Sequence, residues 1–134
     1  MKRFFLLLLI IVPLATAVRG GEKPNTVLIH PGEVIYAKFA ENGKKLKLLA
    51  TGMTADDNAQ LILSMVPVPK SDAFILKLQN RFSKDLNYKV EMRILTLKVR
   101  QPATVFPVVA GKMSFDNIAP KADELAVYGF ELIL

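Results

Sequence analysis

The feature that most constrains this fold is a two-residue alternation of apolar and polar side chains. It is clearest where two alternating runs flank the polar stretch NRFSKD (80–85). The apolar positions of the two runs are Phe74, Leu76 and Leu78, then Leu86, Tyr88, Val90, Met92 and Ile94. Successive side chains of a strand point to opposite faces of a sheet, so each run has one core side and one solvent side. The segment is therefore predicted to form an antiparallel β-hairpin.

Similar extended runs cover most of the chain beyond residue 25, and their breaks carry Gly, Pro, Asn and Asp. Besides the hairpin, strands are predicted over 26–30, 33–40, 44–52, 59–68, 103–111, 114–115 and 124–134. No stretch of this region has a convincing helical period. Eight or nine short antiparallel strands are typical of an all-β sandwich, immunoglobulin-like in the broad sense. We expect one such domain over residues 26–134.

The alternation also predicts which side chains build the core. The inward positions outside the hairpin are Ile35, Ala37 and Phe39, then Leu61, Leu63 and Met65, and finally Ala126, Tyr128, Phe130, Leu132 and Leu134. After Ile94 the phase reverses, so that Leu95, Leu97 and Val99 become the apolar positions. A one-residue change of phase indicates a β-bulge or the start of a new segment.

A short stretch of the hairpin resembles the tyrosine-corner region of immunoglobulin-like domains. Tyr88 follows Asp85 and lies two residues before the inward-facing Val90. The resemblance covers about six residues, and the cysteine pair and core tryptophan of antibody domains are absent. It favours the sandwich fold and implies no functional residues.

The first seventeen residues have the layout of an export signal. A basic start and an apolar run from Phe4 to Leu14 precede the small residues Ala15-Thr16-Ala17. The apolar run is well short of the roughly 20 residues of a membrane-spanning helix, and Pro13 interrupts it. We expect cleavage of this signal peptide (1–17), a flexible arm over 18–25, no transmembrane segment in the mature chain, and a periplasmic or secreted location.

Composition narrows the classes of function. The chain has no cysteine, so its stability must come from the core rather than from disulfides. Its formal net charge is +6, which falls when the basic leader is removed. Such a mild excess permits attraction to anionic lipid headgroups, polysaccharide or an acidic protein, but it argues against nucleic acid as a partner.

Residues for catalysis or metal binding are sparse. The only histidine, His30, ends a strand beside Pro31 with no G-x-S-x-G nucleophile pattern in the chain, and we predict that it is a turn or edge residue. One histidine without cysteine does not make a zinc site. The loop ADDN (55–58) lacks the spacing of an EF-hand calcium loop. We therefore expect no cofactor, no metal and no enzymatic activity.

Two features could contact a partner. One is a set of basic residues that would line one sheet face: Lys44, Lys45, Lys47, Lys89, Arg93, Lys98 and Arg100. Such charges are also ordinary on a solvated sheet face, and Glu91 lies among them. The other is Phe82, an aromatic residue in a polar turn, which is either a cap on the core or an exposed binding anchor.

Three functions are compatible with these features. The first is an exported, non-catalytic binding or accessory module that contacts an envelope or secreted protein through a sheet edge or the end loops 80–85 and 54–58. The second is a binder of anionic envelope material through the basic face. The third is an enzyme with carboxylates from separate strands. Its candidate residues are Glu33, Glu91, Asp116, Asp123, Glu124 and Glu131. The sequence favours the first.

Overall fold

The computed structural model describes residues 23–94 and 99–134, which form nine strands. The strands are β1 (Val27–Ile29), β2 (Val34–Asn42), β3 (Lys45–Gly52), β4 (Leu61–Pro67), β5 (Phe74–Asn80), β6 (Asp85–Ile94), β7 (Arg100–Ala103), β8 (Met113–Ile118) and β9 (Ala122–Ile133). Every pairing between them is antiparallel, so the all-β class is confirmed. Nowhere in the described ranges is there a helix long and apolar enough to cross a membrane. The predicted export signal and the phase change after Ile94 fall outside these ranges.

The nine strands belong to one hydrogen-bonded sheet. Its order is β7-β6-β9-β3-β2-β4-β5-β8, with β1 paired to the first half of β9. The joint between β3 and β9 is narrow, with one ladder pair between Lys45 and Glu131 and a 2.7 Å bond from Leu132 N to Lys44 O. The sheet is nearly closed, since its end strands β7 and β8 line the same groove. Two separate sheets, as in an immunoglobulin-like sandwich, are therefore not confirmed.

The predicted alternation builds one core to which most of the strands contribute. The inward positions of β2 and β4 are buried as expected, and so are Leu76 and Leu78 of β5. Phe39 of β2 packs edge-on against Phe130 of β9, with the ring centroids 5.0 Å apart. Burying one large apolar side chain contributes about 1.5–3 kcal/mol. This core therefore provides the stability that disulfides would otherwise supply, since the chain has no cysteine.

The last strand differs from its prediction at a bulge. Gly129 adopts φ +66°, a conformation that glycine tolerates best, and the register against β6 shifts opposite it. The core-facing residues are Leu125 and Val127 before the bulge and Phe130 and Leu132 after it. Tyr128, predicted inward, is half-buried and lies outside the core cluster, because the extra residue reverses the phase. Ala126, also predicted inward, is buried at 3% exposure but is not a member of that cluster. Leu134, also predicted inward, is exposed.

The segment between β7 and β8 also departs from its prediction. In place of the strand predicted over 103–111, one bridge between Val108 and Leu86 joins this segment to β6. Pro107 has no N–H to donate to a ladder, which limits pairing here. β8 is longer than the two residues predicted, because its pairing with β5 extends over six residues.

The turn between β5 and β6 places Phe82 in the core. Its side chain is 4% exposed, and its ring centroid lies 6.0 Å from that of Phe39. The buried Asn80 side chain fixes the turn by accepting a bond from Phe82 N (2.8 Å). It also donates to the carbonyls of Lys84 and Val108 (3.0 Å each). Phe82 thus caps the core, and its burial removes it from the surface that a partner could contact.

Replacing Phe82 with alanine should lower the free energy of unfolding by about 3–5 kcal/mol, because a buried aromatic ring is lost and a cavity remains. The matched control is Phe115→Ala, since Phe115 is 63% exposed and its loss should change stability by less than about 0.5 kcal/mol. Urea unfolding of both variants measures the difference. Equal losses in the two variants would contradict the burial of Phe82.

Candidate functional site

The two ends of the sheet leave a groove between them. Pro102 and Ala103 of β7 line one side, and Phe115 and Asn117 of β8 line the other. Phe106, from the segment that connects the two strands, also contributes to the wall. The groove has a volume of about 530 Å³ and opens to solvent. It lies where the two end strands of the sheet come together.

Exposed apolar side chains are concentrated in the part of the chain that forms this groove. The large exposed apolar residues between β7 and β8 and on β8 itself are Phe106, Val109, Met113 and Phe115. Phe106 is 69% exposed and Phe115 is 63% exposed. Single exposed apolar residues are ordinary, but aromatic residues gathered along a groove mark interaction sites. The groove is therefore the candidate functional site.

The inner side of the same seam is closed by polar contacts. The Tyr88 hydroxyl of β6 donates to Asp116 of β8 at 2.6 Å and lies 3.3 Å from Ser114 Oγ. Burial, and then the bond to Asp116, raise the pKa of Tyr88 well above its ordinary value, so the hydroxyl keeps its proton. Backbone bonds between Leu86 and Val108 (2.9 Å each) close the far end of the seam. The groove is thus open on the outside and sealed towards the core.

A second cluster, of charged residues, surrounds Glu124 on the outer face of β9. Glu124 is only 3% exposed. Its carboxylate lies 2.6 Å from Arg100 Nη2, 3.6 Å from Arg93 Nη1 and 2.9 Å from His30 Nε2. Arg93 also makes two 3.0 Å bonds to Asp123. These bonds tie β6, β7 and β9 to the turn that follows β1.

His30 bridges two carboxylates in this cluster. Its Nδ1 lies 3.0 Å from Glu33 Oε1, and its Nε2 bonds to Glu124. Burial alone would lower the pKa of His30, but the bonds to Glu124 and Glu33 outweigh it and raise that pKa. For Glu124, burial favours the neutral acid, yet the His30 bond and the charges of Arg93 and Arg100 lower its pKa. The contacts with Glu124 and Glu33 therefore favour the protonated form of His30, in which both ring nitrogens carry a proton and can donate to these side chains.

This arrangement favours a structural role over a catalytic one. Both ring nitrogens of His30 are occupied by carboxylates, which leaves neither to take a proton from a nucleophile. The two guanidinium groups on Glu124 oppose the approach of a cation. Across the described residues, no three His, Asp or Glu side chains come together as a metal site. Glu33 and Glu124, two of the carboxylates that the sequence offers as catalytic candidates, thus meet in an ion-pair network.

The structure divides the predicted basic residues into two groups. Lys44, Lys45, Lys47 and Lys89 are exposed. Arg93 and Arg100 are half-buried and form ion pairs with Asp123 and Glu124. Lys98 lies outside the described residues. The predicted basic face is thus interrupted, since Glu131 of β9 pairs with Lys45 in the same part of the sheet.

Sequence reasoning did not single out the aromatic residues of the groove or the partners of His30. Phe106 lies in the predicted strand 103–111, which Pro107 interrupts, and Phe115 lies in a predicted strand of two residues, so their exposure could not be inferred from alternation. The only local signal for the charged cluster is Glu33, three residues after His30. Its other partner, Glu124, comes from the far end of the chain.

No protein family model matches this chain. Comparison with curated proteins finds no match, and comparison with solved structures finds none either.

The His30 bridge should make stability depend on pH. A histidine whose pKa is higher in the fold than the ordinary 6.5 stabilises the fold below pH 6.5 and loses this contribution as pH rises through the raised value. The free energy of unfolding should therefore fall across that window in the wild type, and less so in His30→Gln. Urea unfolding at a series of pH values measures the effect. Identical pH profiles for the two proteins would contradict the bridge.

Proposed function

We propose that this protein is an exported, non-catalytic binding module that holds a protein of the cell envelope at the groove between β7 and β8. The observation that carries the proposal is the placement of two exposed phenylalanines, Phe106 and Phe115, where the two free sheet edges meet. Export is supported by the leader-like layout of residues 1–17. The module would be exposed to envelope proteins once the leader is removed.

The core supports a sandwich-like scaffold for such a module. Phe39 and Phe130 are in contact although β2 and β9 are separated by β3 in the sheet. Antiparallel strands around an apolar core are also the scaffold of immunoglobulin-like domains, which present binding surfaces at edges and end loops. A rigid core behind the groove lowers the entropy cost of binding.

Aromatic side chains suit the groove to a protein partner. Burying one phenylalanine that is exposed in the free protein contributes about 1.5–3 kcal/mol. Aromatic residues at the centre of an interface commonly supply most of its binding energy. Phe106 and Phe115 lie on different segments, so a partner that covers both would be fixed in position as well as held.

Substituting both phenylalanines with serine should abolish retention of the partner. The double variant Phe106→Ser/Phe115→Ser is compared with Leu49→Ser, because Leu49 is 61% exposed but lies on β3, away from the groove. Each protein is immobilised and exposed to its own envelope extract, and the bound proteins are quantified by mass spectrometry. A partner lost only with the double variant supports the proposal. Unchanged retention, or equal loss with Leu49→Ser, contradicts it.

The second candidate is a binder of anionic material through the exposed lysines of the outer face. The observation that favours it is that Lys45 and Lys47 on β3 and Lys89 on β6 are all exposed, on two strands that are separated only by β9. Glu131 lies between them, and Arg93 is neutralised by Asp123, so the field is weaker than the sequence indicated.

Binding to anionic vesicles tests this candidate. If it is correct, affinity should fall steeply with salt, because the attraction is screened. It should also fall when Lys45, Lys47 and Lys89 are replaced together by glutamine. The double phenylalanine variant serves as the control, since its lysines are intact. Vesicle binding that is absent, or that ignores salt, rules this candidate out.

A further inference from the structure

We propose that the partner is held by strand addition: an extended, acidic polypeptide segment pairs with the free edge of β8. This inference rests on the proposed function and specifies the chemistry of the partner. Strand addition uses main-chain hydrogen bonds for affinity and side-chain contacts for selectivity. Both kinds of group are present along β8.

The register of β8 shows which of its main-chain groups face the open edge. Asn80 N donates to Lys112 O, so this pair is hydrogen-bonded at the start of the β5–β8 ladder. Along an antiparallel ladder, every second residue pair is hydrogen-bonded. Counted from Lys112, the β8 residues whose main-chain groups bond to β5 are Ser114 and Asp116. The N–H and C=O groups of Phe115 and those of residues 113 and 117 therefore point away from β5. They form a row of donors and acceptors on the groove side.

β8 lacks most of the features that protect edge strands. Its sequence MSFDNI contains no proline and no lysine, the residues that commonly block pairing at an edge. Its one charged residue, Asp116, bonds to Tyr88 across the inner side of the seam. By contrast, β7 has only four residues, and its Pro102 has no N–H to donate. An added strand should therefore pair with β8 rather than with β7.

The side chains along this edge favour an apolar segment. Phe115 and Met113 share the outer face of β8 and are exposed. Phe106 lies on the same groove and is exposed as well. A partner strand with apolar residues at alternate positions would cover these side chains while its main chain pairs with β8.

The charges around the edge favour acidic residues at the remaining positions. Lys112 directly precedes β8, and Lys77, the cross-strand neighbour of Phe115, lies on β5, one strand back from the free edge. The one carboxylate that lines the groove, Asp116, is already bonded to Tyr88. The net charge of +6 falls to +4 when the leader with Lys2 and Arg3 is removed (16 basic against 12 acidic residues), so two copies still repel one another whereas an acidic segment is attracted. This complementarity selects an acidic partner over a second copy.

Synthetic peptides test the strand and its charge. The probes are fluorescein-labelled peptides of about ten residues, long enough to span β8. One alternates valine with glutamate, and the other alternates valine with lysine. The protein purified after expression of the full chain should bind the acidic peptide several-fold more tightly at low salt, with a difference that shrinks as salt is added. Equal binding of both peptides, or binding of neither, overturns the proposal.

A proline at residue 117 tests main-chain pairing directly. Asn117→Pro removes a donor on the free edge and leaves the β5 ladder intact, whereas Asn117→Ala keeps the donor. Loss of one main-chain bond should weaken binding of the acidic peptide about two- to tenfold in the proline variant relative to the alanine variant. Urea unfolding shows whether both variants keep the fold. Equal affinities in folded variants overturn strand addition, and unfolding of Asn117→Pro alone overturns the assignment of a free-edge donor.

Amide NMR of the wild type locates the bound peptide. Shifts confined to residues 113, 115 and 117 and to Phe106 support the proposal, and shifts on β3 overturn it. A dimer that forms through β8 at the concentrations used would make a second copy the occupant and overturn it as well. The proposed function can still stand in those cases. If the double phenylalanine variant loses the envelope partner while Asn117→Pro has no effect, the groove remains a binding site and only strand addition is ruled out.

Discussion

The strands on both sides of the narrow joint between β3 and β9 share one core. One ladder pair, Lys45 with Glu131, and the bond from Leu132 N to Lys44 O hold that joint. The rings of Phe39 on β2 and Phe130 on β9 lie 5.0 Å apart on the inner side of this joint. Since the chain has no cysteine, no disulfide can hold this closure. The free energy that maintains it must come from the burial of apolar side chains against one another.

The same closure creates the groove. Eight strands alternate in direction along the sheet, so its end strands β7 and β8 meet with opposite directions, which would permit an antiparallel ladder between them. The short β7 with its Pro102 is poorly suited to complete that ladder. Contacts such as the bond from Tyr88 to Asp116 instead join β6 to β8 on the inner side. The core is thereby sealed, while the main-chain groups of β8 that point away from β5 remain on the outer side.

Alternation alone predicted β4, β5 and most of β6. Each of these strands keeps one phase over its whole length, and short turns join β4 to β5 and β5 to β6. It failed at β9, where the bulge at Gly129 reverses the phase. The sequence marks this bulge only by a single glycine. The groove was beyond prediction for another reason. The groove forms where the edges of β7 and β8 come together without a ladder between them. His30 and Glu124 likewise bond to each other although they are 94 residues apart in the sequence. Local patterns do not record such long-range contacts.

The surface around Glu124 and the edge of β8 differ in their net charge. Around Glu124, each cation lies beside a carboxylate, so the outer face of β9 has little net field to attract a ligand. Along β8, Lys77 and Lys112 flank apolar side chains, and the nearby Asp116 is bonded to Tyr88. An apolar edge without proline or lysine is a risk of self-association. The excess of basic residues, which remains when Lys2 and Arg3 are left out of the count, opposes pairing between identical copies.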